Sequence, residues 1–239
     1  AFPPQALDYD DSFFVVEASL PGTPEDGKPK AQGRRYVGVF TGALKSHITA
    51  QRNLMAGVFQ FPRALAENLL PAKTPENQKD GRDGRRLPDD LGTPSDALDP
   101  YGTVVWYFNS IRELGYASSL LEQDISQHTK NIRIRYDIPY PLERRDTNAT
   151  EMTSRAKENE IFEILEALER KWTPNRNFDA IDVLLATNMI SVGVDIDRLG
   201  LMVITGQPKN TSEYIQSSSR VGRQKPGLVF ALYNQNRSR

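Results

Sequence analysis

Apolar runs of strand length alternate with helix-spaced apolar positions over most of this chain. Tyr36-Val37-Gly38-Val39-Phe40 is a compact apolar run that predicts a strand. Leu44, Ile48, Met55, Val58 and Phe59 then suit one face of a helix, which Pro62 is expected to interrupt or restart. Thr103-Val104-Val105-Trp106-Tyr107-Phe108 lacks polar alternation, as a strand covered on both sheet faces should. Ile111, Leu114, Ser118 and Leu121 lie along the next helical face, and Ile132-Arg133-Ile134-Arg135-Tyr136 alternates as a strand would. Ile161, Leu165, Leu168 and Trp172 recur at helical spacing. Ile181 to Ala186, Leu201 to Ile204 and Gly227 to Tyr233 read as further buried strands. Between the last two, Asn210 followed by Glu213 predicts a capped helix start. Alternation of this kind predicts an α/β fold, a parallel sheet flanked by helices.

Two stretches fall outside that rhythm. Residues 1–33 form a lead-in whose Phe13-Phe14-Val15-Val16 suits a short strand before Pro21, Gly22, Pro24, Gly27 and Pro29 break the chain. Residues 71–100 carry five prolines and three glycines with no aromatic residue, so they predict a surface loop insertion in a domain spanning 34–239. That loop reads first as floppy and second as a partner contact.

Composition adds exclusions. The 239 residues hold no cysteine, which removes disulfides, thiolate metal sites and a thiol nucleophile, and fits a reducing cytoplasmic setting. His47 and His128 stand far apart in sequence and read as structural or surface residues, so no metal site is expected. Thirty basic against thirty-one acidic residues leave a net charge of -1, so nucleic acid would need a local groove. No run approaches a membrane span, and the opening AFPPQALDYDD has no signal-peptide pattern. A start on Ala reads as a fragment or a processed product. Trp106 and Trp172 read as core rather than as base-stacking platforms, and the run Glu158 to Glu169 as a solvated helix face.

Ligands of open parallel sheets bind at the carboxyl ends of the strands, which directs attention to the residues after Phe108, Ala186 and Ile204. Thr187 and Asn188 leave a strand with a hydroxyl and an amide, groups that suit phosphate oxygens and ordinary turns alike. Gly193 permits close backbone approach, and Asp195 is an acceptor for a ribose hydroxyl or a water. Gln216 and Arg220 are four apart and share a helical face, which Arg223 joins if the helix persists. Two guanidiniums beside an amide match a polyphosphate. They are equally two surface cations near a helix end.

Taken together, Ala186-Thr187-Asn188 with Gly193-Val194-Asp195, followed by Gln216-x3-Arg220-x-Gly222-Arg223, resemble motifs V and VI of superfamily 2 helicases. Val104 to Leu114, VVWYFNSIREL, is similar to motif IV, and Glu151-Met152-Thr153-Ser154-Arg155 falls at a second backbone-contacting loop. Many relatives place Gly before the first motif VI arginine, where this chain has Ser219. LMVITGQPKNTSEYIQSSSRVGR, from Leu201 to Arg223, is similar to the helicase subunits of DISARM antiphage systems. The resemblance implies the second RecA-like domain of an ATP-dependent helicase or translocase. It implies Gln216, Arg220 and Arg223 at the triphosphate, Gly193 and Asp195 nearer the ribose, and Asn109, Ser110, Thr153, Ser154 and Thr187 on a nucleic-acid backbone. It implies ATP with Mg²⁺, bound mainly by a first RecA-like domain, with DNA as the favoured nucleic acid and a further defence-system subunit as partner.

A complete motor also needs a phosphate loop and an acidic metal-holding motif. Gly22 to Lys28 matches seven positions of G-x-x-x-x-G-K-[ST], but Pro29 has no hydroxyl and no acidic motif occurs. This chain alone is therefore expected to be inactive. The rival reading is a non-catalytic nucleic-acid-binding or scaffold module with a RecA-like fold. A small-molecule α/β enzyme lacks a nucleophile–base pair or a Rossmann glycine fingerprint here.

Overall fold

The computed structural model describes residues 33–40, 46–69, 94–136, 147–172, 180–187, 195–206, 208 and 210–234. Among these described residues six strands form one sheet: β1 (Arg34–Phe40), β2 (Val104–Phe108), β3 (Ala149–Met152), β4 (Val183–Thr187), β5 (Leu201–Thr205) and β6 (Gly227–Tyr233). Their order is β1-β6-β5-β2-β4-β3 and every pairing is parallel. The central strands β2, β4 and β5 are buried throughout, which is why their sequences show no polar alternation.

Helices cover both faces. On one side α1 (His47–Leu69), α3 (Ile111–Leu120), α4 (Ser126–Arg135) and the turn joining the last two pack Met55, Phe59, Leu114, Ala117 and Ile125 against Val104, Trp106, Phe108, Leu185 and Val203. On the other, α5 (Glu158–Glu169) and α6 (Thr211–Ser218) bring Leu168 and Tyr214 to Val105, Tyr107, Leu184, Met202 and Ile204. The predicted α/β fold is therefore what the chain forms. Trp106 and Trp172 are both core residues, as their apolar settings suggest. Trp106 also donates from Nε1 to Thr205 Oγ1 at 2.8 Å.

Several sequence expectations need correction. Ile132 to Tyr136 is not a strand. α3 continues through a π-helical turn (Leu121–Ile125) into α4, and the buried set Ile125 and Thr129, with Ile132 packed alongside, follows helical spacing. Ile134, whose alternation with Ile132 mimics a strand, is exposed. Pro62 does not interrupt α1, which runs through it to Leu69. The proline ring keeps a helix-compatible φ, and the buried turn before it (Met55, Ala56, Val58, Phe59) holds the helix by tertiary packing. The insertion at 71–100 ends earlier than its composition implies, because Pro94–Gly102 forms α2. Its Leu98 packs with Trp172 and Ala180 in a small satellite core. Residues 71–93, the lead-in strand at Phe13 to Val16 and the segment Gly22 to Lys28 lie outside the described residues.

A buried ion pair joins α2 to the loop before β5. Arg198 Nη1 lies 3.2 Å from Asp99 Oδ1, and both side chains are almost fully covered. Arg198 also donates to the Leu168 carbonyl at 2.5 Å and to Thr103 Oγ1 at 2.8 Å, while Asp99 accepts from the Trp172 N–H at 2.6 Å. Burial raises the Asp99 carboxyl above its ordinary range despite Arg198, and burial likewise lowers Arg198. Desolvation is therefore the dominant cost at both ends, and removing one partner strands the other. Arg198→Ala is expected to cost about 3 to 5 kcal/mol in urea unfolding. Removing both charges with Asp99→Leu and Arg198→Met should recover much of that loss.

Candidate nucleotide and nucleic-acid edges

The strands begin at one edge of the sheet and end at the other, and the sequence-singled residues divide between these edges. Asn109 and Ser110 follow β2, Thr153 and Ser154 follow β3, and Thr187 ends β4. Phe108 is in register with Thr187, and Met152 with Ala186, so all five nucleic-acid candidates sit at the carboxyl edge. Ser110 has a local role as well: its hydroxyl caps α3 by accepting from the Glu113 N–H at 3.3 Å. Thr153 accepts from the Arg155 N–H at 3.3 Å, closing a tight turn that leaves Ser154 exposed. Asn109 donates to the Thr205 carbonyl at 3.3 Å, and Thr187 is buried.

Asn210 caps α6, accepting from the Glu213 N–H at 2.7 Å, as the sequence suggests. The Glu213 carboxylate instead accepts from the Tyr107 hydroxyl at 2.9 Å. α6 then runs back across the sheet and ends at Ser218, well short of Arg223. Gln216 is exposed on the helix, Arg220 is half-buried on the turn after it, and Arg223 is reached only past Gly222. The helix thus does not persist through the motif, and the arginines arrive at the amino edge, not the carboxyl one.

There the two sequence segments meet. Arg223 pairs with Asp195, Gln224 donates to Asp197 at 2.5 Å, and the Gly222 N–H donates to the Leu199 carbonyl at 2.7 Å. Gly193 lies outside the described residues. Arg34, at the start of β1, donates to the Val221 carbonyl at 2.6 Å and to the Ser219 carbonyl at 3.2 Å, clamping the turn from below. Tyr36 adds a hydroxyl contact to Ser218 at 3.1 Å and a ring contact to Tyr214. Sequence reading missed Arg34 and Arg198 because each is a lone arginine whose partners lie far along the chain. Only the placement of Arg34 directly before an apolar strand hints at an edge position.

Residues 102–225, more than half the chain, match the family described as the helicase conserved C-terminal domain. The chain belongs to that family. As a helicase C-terminal domain it is 42% identical, over 238 residues, to the DISARM protein DrmA of Bacillus paralicheniformis. That alignment covers 100% of this chain but 18% of DrmA, so the chain spans less than a fifth of that relative's length. Among solved structures, the C-terminal part of the Fun30 ATPase domain is 11% identical with a TM-score of 0.41, covering 67% of this chain and 48% of that one. The C-terminal domain of the DEAD-box protein Dbp5 is 12% identical with a TM-score of 0.34, covering 56% and 63% respectively.

Chemically, the two edges of this helicase domain differ. Among the described residues no group of three histidine or carboxylate side chains is placed to hold a metal ion. No helix among them is long and apolar enough to cross a membrane. The amino edge carries cations and an amide, and the carboxyl edge carries hydroxyls, amides and an open cleft between α1 and α3.

Gly222 makes the amino-edge turn possible. Its φ is 70°, and a Cβ there would lie 2.6 Å from the Gly227 Cα. Gly222→Ala is expected to cost about 2 kcal/mol or more by chemical denaturation, from left-handed strain and the backbone clash. Gly57→Ala, in open space on α1, is the contrast and should be neutral or slightly stabilising.

Proposed function

We propose that this chain is the second motor domain of an ATP-dependent nucleic-acid helicase or translocase acting in antiphage defence. The observation that carries this reading is the amino-edge assembly, in which the arginine turn and the segment from Asp195 to Leu199 are stitched together by Arg223–Asp195 and by Gly222 N–H to the Leu199 carbonyl. Arg220 and Arg223 would supply donors matched to a polyphosphate, with the exposed Gln216 amide of α6 as a third. Arg223 would exchange Asp195 for phosphate oxygens when a first RecA-like domain presents ATP, and would stabilise the charge developing on them. Asp195, so released, is an acceptor for a ribose hydroxyl or a water, with Gly193 allowing close approach. Mg²⁺, on the same reading, would be held mainly by the first domain together with ATP.

At the carboxyl edge, Asn109, Ser110, Thr153, Ser154 and Thr187 would hold the phosphates of a strand, DNA by preference. Such contacts position the strand without reading it, so binding should tolerate sequence and weaken with salt. Likeness to a DISARM protein supports the defence role, and a further subunit of the same system is the partner this reading expects. The cytoplasm is the compartment in which incoming phage nucleic acid would be met.

One observation favours a second reading. Arg223 already has a partner within its own chain, as a non-catalytic module using the arginine as a structural tie would require. ATP hydrolysis by the full-length protein separates the two. Arg223→Ala should lower nucleic-acid-stimulated turnover by about 10³ or more, and Arg223→Lys should not restore it. Wild-type turnover in Arg223→Ala would assign the residue to the tie. The 239-residue chain alone is expected to hydrolyse ATP negligibly.

A further inference from the structure

The carboxyl edge contains more than phosphate-gripping groups. A cleft of about 460 Å³ opens where the first turns of α1 and α3 meet the exit of β5. This is the position at which the chain's connections diverge: β2 is followed by helices on one face of the sheet, and β5 by α6 on the other. Its volume falls in the range of small-ligand pockets. Two of its lining residues are large and exposed, Tyr116 at 64% and Ile48 at 61%. The Arg112 guanidinium carbon stands 5.8 Å from the Tyr116 ring centroid, and Arg112 Nη2 donates to the Tyr116 hydroxyl at 3.4 Å. An aromatic ring held by an arginine at the mouth of a polar cleft is a stacking platform. Deeper polar groups, Gln51 and Thr205, offer both donors and acceptors. Glu113 also lines the cleft, and its carboxylate opposes an anion there while suiting the N–H groups of a base edge.

We propose that this cleft takes one nucleobase of a bound single strand, stacked on Tyr116 with its polar edge turned toward Gln51 and Glu113. The inference rests on the nucleic-acid reading above and adds a base site to its backbone contacts. Ser110 and Tyr116 are six residues apart at the start of one helix, about 9 Å along its axis. A phosphate held at Ser110 therefore leaves its own or the adjacent base within reach of the ring. Stacking of this kind is tolerant of base identity. Trp106 and Trp172 are buried in the core, so among the described tryptophans none competes for this role.

The test uses full-length protein and single-stranded DNA carrying 2-aminopurine at successive positions, with affinity followed by anisotropy. One position should change fluorescence sharply on binding. Tyr116→Ala should abolish that change and weaken binding about tenfold, and Tyr116→Trp should preserve both. An abasic site at that position should weaken wild-type binding to the level of Tyr116→Ala, and should weaken that variant no further. Tyr116 is exposed, so its truncation leaves the core intact, and unchanged thermal unfolding checks this. Tight strand binding with no position-specific signal, or with Tyr116→Ala indistinguishable from wild type, would overturn the base site and leave the backbone reading standing. Failure of the wild-type protein to bind the strand would overturn both.

Discussion

Every strand in this sheet points the same way, so each connection between strands has to recross it. That constraint decides where chemistry is placed. Residues immediately after a strand emerge at the carboxyl edge, and those carried past the end of a returning helix emerge at the amino edge. Asn109, Ser110, Thr153, Ser154 and Thr187 belong to the first class, and Arg220 and Arg223 to the second. Two surfaces of different chemistry are thereby separated by the length of a five-residue strand such as β5. A protein that couples nucleotide turnover to movement along a strand needs such a separation, with a rigid element between.

The rigid element is the buried centre of the sheet, and the amino-edge turn is tied to it by backbone as much as by charge. The exposed Asp195–Arg223 pair contributes little to stability by itself, since solvent screens it. Arg34, reaching two carbonyls of the turn from β1, and the Gly222–Leu199 hydrogen bond set the local geometry. Arg198, buried against Asp99, fixes the loop that delivers Asp195. The weak pair is thus held on a strong frame. This is the arrangement expected where an arginine must be positioned and yet able to change partners.

Much of the fold was legible because five of the six described strands carry unbroken apolar runs, which need no knowledge of long-range contacts; β3, Ala149-Thr150-Glu151-Met152, is short and half polar, and the sequence reading placed Glu151 and Met152 on a loop instead. The failures have specific causes. Ile132 and Ile134 alternate like a strand, and only the earlier Ile125 and Thr129 reveal the helical period. Pro62 punctuates the sequence but not the helix, because packing before it outweighs propensity. Leu98 sits in a stretch too polar to suggest a core, yet Trp172, more than seventy residues later, completes one. For the site, motif spacing put Asp195 and Arg223 near one nucleotide but did not foresee that they pair with each other. It could not show that α6 ends at Ser218, because the carbonyl contacts of Arg34 and the left-handed Gly222 that shape the turn are tertiary facts. Nor could spacing reveal the cleft beside Tyr116, which exists only where α1 and α3 come together.

On the proposed function, one domain presents nucleotide and nucleic acid to opposite edges of a single sheet. Photocrosslinking of the full-length protein tests it most directly, with an azido-ATP analogue in one arm and a photoreactive single strand in the other, adducts being mapped by peptide mass spectrometry. Nucleotide adducts are expected within 195–198 and 216–226, and strand adducts within 109–116, 153–155 and around 187. Adducts of both probes on the same edge, or nucleotide adducts confined to the carboxyl-edge loops, would contradict it.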